Sequence, residues 1–301
     1  MPHLSDATQT AALLPYPELA REIDTLLGDR AVQVPERLVQ PLPGGGSLFV
    51  MPAFDARIAI TKLITFTPAN AGTRRPAIQG DLVVFDVATG QRMGVLDGPT
   101  VTARRTAAVS LRAAQALASQ PAGPLLIVGA GAQGRAHLEA FAAGLPLRAV
   151  RIASRTAASA QALVEHARSL GLQAAVEHDP DGALSDCTLV VTCTPADRVV
   201  LAARPRDDAF IAAVGAFTPQ MVELAPALCR HFAAQGRVVV DTGAARHEAG
   251  DLLQAGLEVA GFATLAQVLA APAAARGRAV LFKSCGWAGW DLAAARLAFP
   301  Q

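Results

Sequence analysis

The sequence predicts an α/β fold, a doubly wound parallel sheet preceded by a β-rich domain, and three observations predict it. The first is Leu125-Leu126-Ile127-Val128-Gly129-Ala130-Gly131-Ala132-Gln133-Gly134, a short apolar run ending in a G-x-G-x-x-G spacing. Helix-forming residues follow from Gln133 to Ala143. This is the strand, tight turn and helix start that a dinucleotide pyrophosphate needs. Gly129 permits the turn, Gly131 lets backbone approach the phosphates, and Gly134 lets helix and strand pack closely. The unpaired amides of Ala132 and Gln133 then face the anion, at the positive end of the helix.

The second observation is the alternation after Gln120-Pro121-Ala122-Gly123-Pro124. Strands are expected at Leu125–Val128, Ala149–Ala153, Gln173–Glu177, Thr188–Thr192, Phe210–Val214 and Val238–Asp241. Helices at Gln133–Ala143, Thr156–Leu170 and Pro219–Ala234 separate them, which describes a Rossmann-type sheet. The third is the β-rich section before it, with runs at Arg37–Pro41, Ser47–Pro52, Arg57–Thr67, Ala77–Asp86 and Arg92–Leu96. Turn residues at Pro43–Gly46, Pro68–Pro76 and Ala88–Gly90 divide these runs. Tyr16–Leu27 reads as a helix after a loose polar start, and Thr100–Ser119 as a strongly helical, alanine-rich stretch. Ala271–Arg278 reads as a second crossing, and Val280–Lys283 with the helix Asp291–Phe299 as a return onto the first domain. The expected domains are residues 1–120, 121–278 and the returning segment 279–301.

Composition narrows the function classes. The chain has 301 residues, 52% hydrophobic and 17% charged, enough to bury a sizeable core. A net charge of +1 gives no global field for nucleic acid or anionic membranes. No signal segment or membrane-length apolar stretch is present, and the four cysteines are scattered without metal or redox spacing. These features point to a cytoplasmic protein with reduced thiols and no metal centre. Only two lysines, Lys62 and Lys283, stand among 26 basic residues. Where arginine serves as the generic cation, a lysine is a candidate for work that requires titration near neutral pH. Chance retention is the alternative for Lys283.

The second strand of the parallel sheet ends Ala153-Ser154-Arg155-Thr156 without a carboxylate. An acid there would accept from a ribose hydroxyl, whereas Arg155 with Ser154 and Thr156 suits a ribose 2′-phosphate. The expected cofactor is therefore NADPH rather than NADH. An ordinary helix cap is the alternative for the same residues.

In Ile58–Phe66 the period of two puts Lys62 as the one charge on the more apolar face. Such a lysine either serves an anionic ligand or sits in a structural ion pair. Burial would lower its pKa and a nearby carboxylate would raise it. If Thr100 or Thr102 caps the next helix, Arg104 and Arg105 fall in its first turn, where an anion would complete the site. A partner Asp or Glu is the alternative.

Together, Ile60–Ile64, Arg105–Ala108, Gly129–Gln133 and Leu281-Phe282-Lys283-Ser284-Cys285-Gly286 resemble the ornithine cyclodeaminase/mu-crystallin family, in the right order over nearly the whole chain. The resemblance implies a homodimer formed through the N-terminal domain and an active site between the domains. It implies that Lys62 and Arg105 hold the substrate and that Arg37 binds its carboxylate. The expected cofactor set is Gly129, Gly131, Ala132, Gln133, Gly134, Ser154, Arg155, Thr156, Thr192, Lys283 and Gly286. The cyclodeaminases carry an aspartate and a lysine where this chain has Phe217 and Met221. An aromatic ring cannot activate water. The resemblance is thus to the family's ketimine reductases, which reduce Δ1-pyrroline-2-carboxylate to proline and Δ1-piperideine-2-carboxylate to pipecolate. Lys62 and Arg105 become the expected catalytic pair, with Phe217 packing on the substrate ring and Thr218 near its nitrogen. A cyclodeaminase, an alanine dehydrogenase of the same family and a non-enzymatic binding protein are the alternatives.

Overall fold

The computed structural model describes residues 3–70, 73, 75–195, 197–271 and 278–300. The chain forms two compact units, residues 1–106 with 287–301, and residues 107–286. The division falls at Thr106/Ala107 and Gly286/Trp287, rather than at 120 and 278 as the sequence suggested.

The first unit opens with β1 (His3–Leu4), α1 (Ala7–Leu13) and α2 (Tyr16–Gly28). Helix α1 had read as loose chain. It forms because Asp6 and Gln9 make a reciprocal capping box. Strands β2 (Leu38–Leu42), β3 (Gly46–Phe54), β4 (Ile58–Phe66), β5 (Ile78–Asp86) and β6 (Arg92–Asp97) follow. They build a six-stranded sheet in the order β1-β6-β5-β4-β3-β2, antiparallel except where β1 joins β6. Strand β4 alternates as its sequence requires: Ile58, Ile60, Lys62 and Ile64 are buried, while Leu63 is exposed. The C-terminal helix, Ala288–Ala298, packs on α2 and on β3 and β4.

Helix α3 (Gly98–Leu117) carries the chain into the second unit. That unit alternates β7 (Leu125–Val128), α4 (Ala132–Gly144), β8 (Ala149–Ala153), α5 (Ala157–Ser169), β9 (Gln173–Val176) and β10 (Leu189–Thr192). It continues with β11 (Asp197–Leu201), β12 (Phe210–Ala213), β13 (Val222–Leu224), α6 (Pro226–Gln235) and β14 (Arg237–Val240). Helices α7 (Ala245–Glu248) and α8 (Gly250–Gln254), strand β15 (Ala263–Thr264), helix α9 (Leu265–Ala270) and strand β16 (Val280–Lys283) complete it. Eight strands form one parallel sheet in the order β15-β14-β16-β12-β10-β7-β8-β9. Its central strands are buried at every position, as strands covered on both faces must be. The chain winds outward from β7 through β8 to β9, then crosses back to β10, so the topological switch lies between β7 and β10.

Two expectations are corrected. Pro219–Ala234 is not one helix: β13 intervenes and Pro226 starts α6, where its missing N–H costs nothing. Val280–Lys283 does not return to the first unit. It inserts between β12 and β14, which suits an apolar run, closed by a lysine, that needs cover on both faces. The second crossing expected at Ala271–Arg278 lies mostly outside the described residues.

Candidate active site

In the first unit, charged side chains are buried together. Lys62 is paired across the sheet with Met51 and Leu82, and its side chain is 1% exposed. Its Nζ lies 2.8 Å from Oδ2 of Asp291, 3.0 Å from Oδ1 and 3.5 Å from the Thr102 hydroxyl. Arg105 Nε lies 3.2 Å from the same Asp291 Oδ1. Asp291 is fully buried in the first turn of the C-terminal helix. Desolvation lowers the Lys62 pKa to about 8; Asp291 pulls it back up, and the charges of Arg105 and Arg37 push it further down. Two buried cations, Lys62 and Arg105, therefore share one carboxylate, and the half-buried Arg37 adds its charge to the field at Lys62. A buried cluster with that imbalance is stabilised by a further anion.

The helix start is corrected. Asp97 accepts from the Thr100 amide at 2.8 Å, so α3 begins before Thr100 and the two arginines lie beyond its first turn. They also part company. Arg104 donates to the Leu14 carbonyl at 2.7 Å and covers the Tyr16 ring, which makes it structural. Arg105 turns to Asp291. Sequence reasoning missed Asp291, although it is the sole acid in an apolar closing helix.

In the second unit the three glycines behave as their spacing requires. Gly129 has φ +118°, and a Cβ there would lie 2.7 Å from the Cys193 carbonyl oxygen. A Cβ on Gly134 would run into the Gly129 carbonyl. Gly131 caps α4 with no side-chain cap, and a Cβ on it would meet nothing. Open space above Gly131 and an uncapped helix start at Ala132 and Gln133 fit a pyrophosphate. Changing Gly134 to alanine should therefore damage the fold, seen as a lowered unfolding midpoint. Changing Gly131 to alanine should leave that midpoint in place and weaken dinucleotide binding in a fluorescence titration.

At the end of β8, Ser154 is half-buried and Arg155 and Thr156 are exposed, with no carboxylate among them. Thr156 caps α5, accepting from the Ser159 amide at 3.4 Å and donating to its hydroxyl at 2.7 Å. Phe217 and Thr218 follow β12, both half-buried. Phe217 packs against the hydrophobic core and Thr218 closes a turn to Met221.

Three expected cofactor ligands are turned inward instead. Thr192 is fully buried, its hydroxyl donating to Glu223 at 3.0 Å. Lys283 is fully buried between Asp251, at 2.8 Å, and the Ala213 carbonyl, at 3.3 Å. Burial alone would lower its pKa, but the Asp251 carboxylate holds it above the usual lysine value. It therefore stays charged, and of the two lysines only Lys62 titrates near neutral pH. The Gly286 amide donates to Asp241 at 2.8 Å, so it is committed within the fold. His137, overlooked in the sequence, is buried with its pKa pushed down to about 4; it bridges the Gln133 carbonyl and the Ser110 hydroxyl as a neutral ring. Among the described residues no group of three His, Cys, Asp or Glu is placed to hold a metal ion.

Comparison with known proteins decides the family. The model of the ornithine cyclodeaminase/mu-crystallin family matches residues 15–300. The chain belongs to this family. It is 40% identical over 297 residues to Δ1-pyrroline-2-carboxylate reductase 1 of Burkholderia multivorans, covering 97% of this chain and 94% of that protein. It is 34% identical over 279 residues to the mouse ketimine reductase mu-crystallin, covering 91% and 86%. Among solved structures, the fold matches the iminosuccinate reductase of Paracoccus denitrificans with a TM-score of 0.87 at 23% identity, covering 99% and 95% of the two chains.

Proposed function

We propose that the protein reduces cyclic ketimines, Δ1-pyrroline-2-carboxylate to proline and Δ1-piperideine-2-carboxylate to pipecolate, with NADPH. The observation that carries this reading is the pair of buried cations, Lys62 and Arg105, that share the single carboxylate of Asp291. Arg105 and Arg37 would take the substrate carboxylate, which fixes the ring and its C2. Lys62, or a water it holds, would protonate the ring nitrogen, because an iminium accepts hydride more readily than an imine. The nicotinamide supplies the hydride that goes to C2. Asp291 keeps Lys62 and Arg105 in place. Phe217 would pack on the ring methylenes, with Thr218 beside the nitrogen. A cyclodeaminase is disfavoured because an aromatic ring occupies position 217, where that reaction needs an acid.

As a proton donor, Lys62 must be protonated. With its pKa lowered to about 8, kcat/KM should hold at neutral pH and fall as pH rises through about 8. A profile that stays flat to pH 10 would remove Lys62 from that role.

The cofactor part of the reading rests on Ser154 and Arg155. Changing Arg155 to alanine should cut the preference for NADPH over NADH by about tenfold or more, through loss of a charged phosphate contact. The assay is initial rate against each cofactor with Δ1-pyrroline-2-carboxylate, then with the six-membered ring as competitor. Fast NADPH oxidation supports the reading, and no oxidation of either cofactor sinks it.

A homodimer built through the first unit is part of the proposal. The outward face of its sheet carries Leu63 at 46% and Leu38 at 57% exposure beside half-buried Leu48, Val50, Val83 and Phe85. An apolar sheet face of this kind marks an association surface. Leu63→Asp should convert the dimer to a monomer in sedimentation experiments. Among the described residues no helix is long and apolar enough to cross a membrane, and the four cysteines are free.

A further inference from the structure

The inward turn of Thr192 and Lys283 has a common cause, a network of buried carboxylates at the carboxyl end of the parallel sheet. Glu223 is fully buried. Its Oε1 accepts from the Thr194 amide at 2.7 Å and the Thr194 hydroxyl at 2.8 Å. Its Oε2 accepts from the Gly215 amide at 2.7 Å and the Thr192 hydroxyl at 3.0 Å. The Glu223 and Leu224 amides donate in turn to Asp251 Oδ1 at 2.6 and 2.9 Å, and Asp251 Oδ2 holds Lys283 at 2.8 Å. Burial pushes the Glu223 carboxyl up, yet each of its oxygens receives an amide and a hydroxyl, the pattern of a carboxylate. A Cβ on Gly215 would strike the carboxylate, so the packing tolerates only glycine there.

These bonds fix two segments, Thr192–Thr194 after β10 and Gly215 after β12. The first also forms one wall of the crevice at the switch between β7 and β10. Cys193 Sγ lies 3.2 Å from the Gly129 carbonyl oxygen, and the Cys193 carbonyl blocks any Cβ on Gly129. The glycine loop is the other wall. The end of β8, with Ser154 and Arg155, lies on the far side of β7 and suits the adenosine ribose. The ends of β10 and β12 are therefore left for the other half of a dinucleotide.

We propose that Glu223 is a positioning residue for the nicotinamide half of the cofactor, acting through Thr194 and Gly215. The proposal rests on the NADPH reading above. In Glu223→Gln the side-chain NH2 must face one of the two backbone N–H donors, so one wall segment is released while the size is kept. The test is a titration of the intact wild-type and variant proteins with NADPH and, separately, with adenosine 2′,5′-bisphosphate, which lacks the nicotinamide half. The Kd for NADPH should rise about tenfold or more, as expected for a buried donor left unpaired. The Kd for the fragment should stay within about twofold. Equal weakening of both ligands, or no change in either, would overturn the positioning role, because general loosening of the fold moves both. A wild-type protein that binds neither ligand would instead overturn the NADPH reading. If Glu223→Gln does not fold, Thr194→Val removes one hydroxyl donor, and the same split at smaller size is required of it.

Discussion

Replacing Lys62 by methionine is expected to lower kcat/KM for Δ1-pyrroline-2-carboxylate by about 10²- to 10⁴-fold, the usual contribution of a positioned proton donor. Methionine keeps the length of the side chain and its apolar body, so β4 retains its packing against Met51 and Leu82. The fold should survive because Asp291 keeps Arg105 at 3.2 Å. NADPH binding should change far less than turnover, since Lys62 is not among the residues proposed to hold the dinucleotide. The informative quantity is the division between kcat and KM. Loss mainly in kcat marks proton donation, whereas loss mainly in KM marks a carboxylate contact. A variant retaining more than about a tenth of wild-type kcat/KM would exclude Lys62 as the acid.

Asp291→Ala has the largest expected effect on stability. The carboxylate is fully buried and serves both Lys62 and Arg105. Removing it leaves two buried cations facing each other without an anion, a change that typically costs about 3–5 kcal/mol. Denaturant unfolding should show the loss directly as a lowered midpoint. Asp291→Asn keeps the shape and separates charge from size. Because Asp291 is the group that raises the Lys62 pKa, its removal should move the alkaline fall of kcat/KM below pH 8. If the alkaline limb stays where it is in wild type, Lys62 and Asp291 are not coupled as the geometry requires.

Much of the fold is legible in the sequence, for physical reasons. The parallel strands are continuous apolar runs because they are covered on both faces, and β7, β8 and their glycine turn follow from spacing alone. Lys62 could be singled out because β4 alternates strictly and a charge on its inner face breaks the pattern. The segment around Val222–Leu224 misled, because Met221, Val222, Leu224 and Leu228 also satisfy a helical period. It is a strand because it pairs with β11, Asp197 opposite Val222 and Leu201 opposite Leu224, a partner that spacing does not show. The same limit hid the partners of the site. Asp291 lies 229 residues from Lys62, and Glu223 lies 31 from Thr192. Spacing within an element cannot show which distant carboxylate will meet which cation. Lys283 looked like Lys62 by rarity, yet Asp251 makes it an internal cation.

The most direct measurement of the central claim is the fate of the hydride. The protein is incubated with Δ1-pyrroline-2-carboxylate and NADPH carrying deuterium at the transferable C4 position, and the product is examined by mass spectrometry and NMR. Proline carrying one deuterium, located at Cα, is the result the account predicts. Proline without deuterium, or no proline at all while NADPH remains bound, would contradict it.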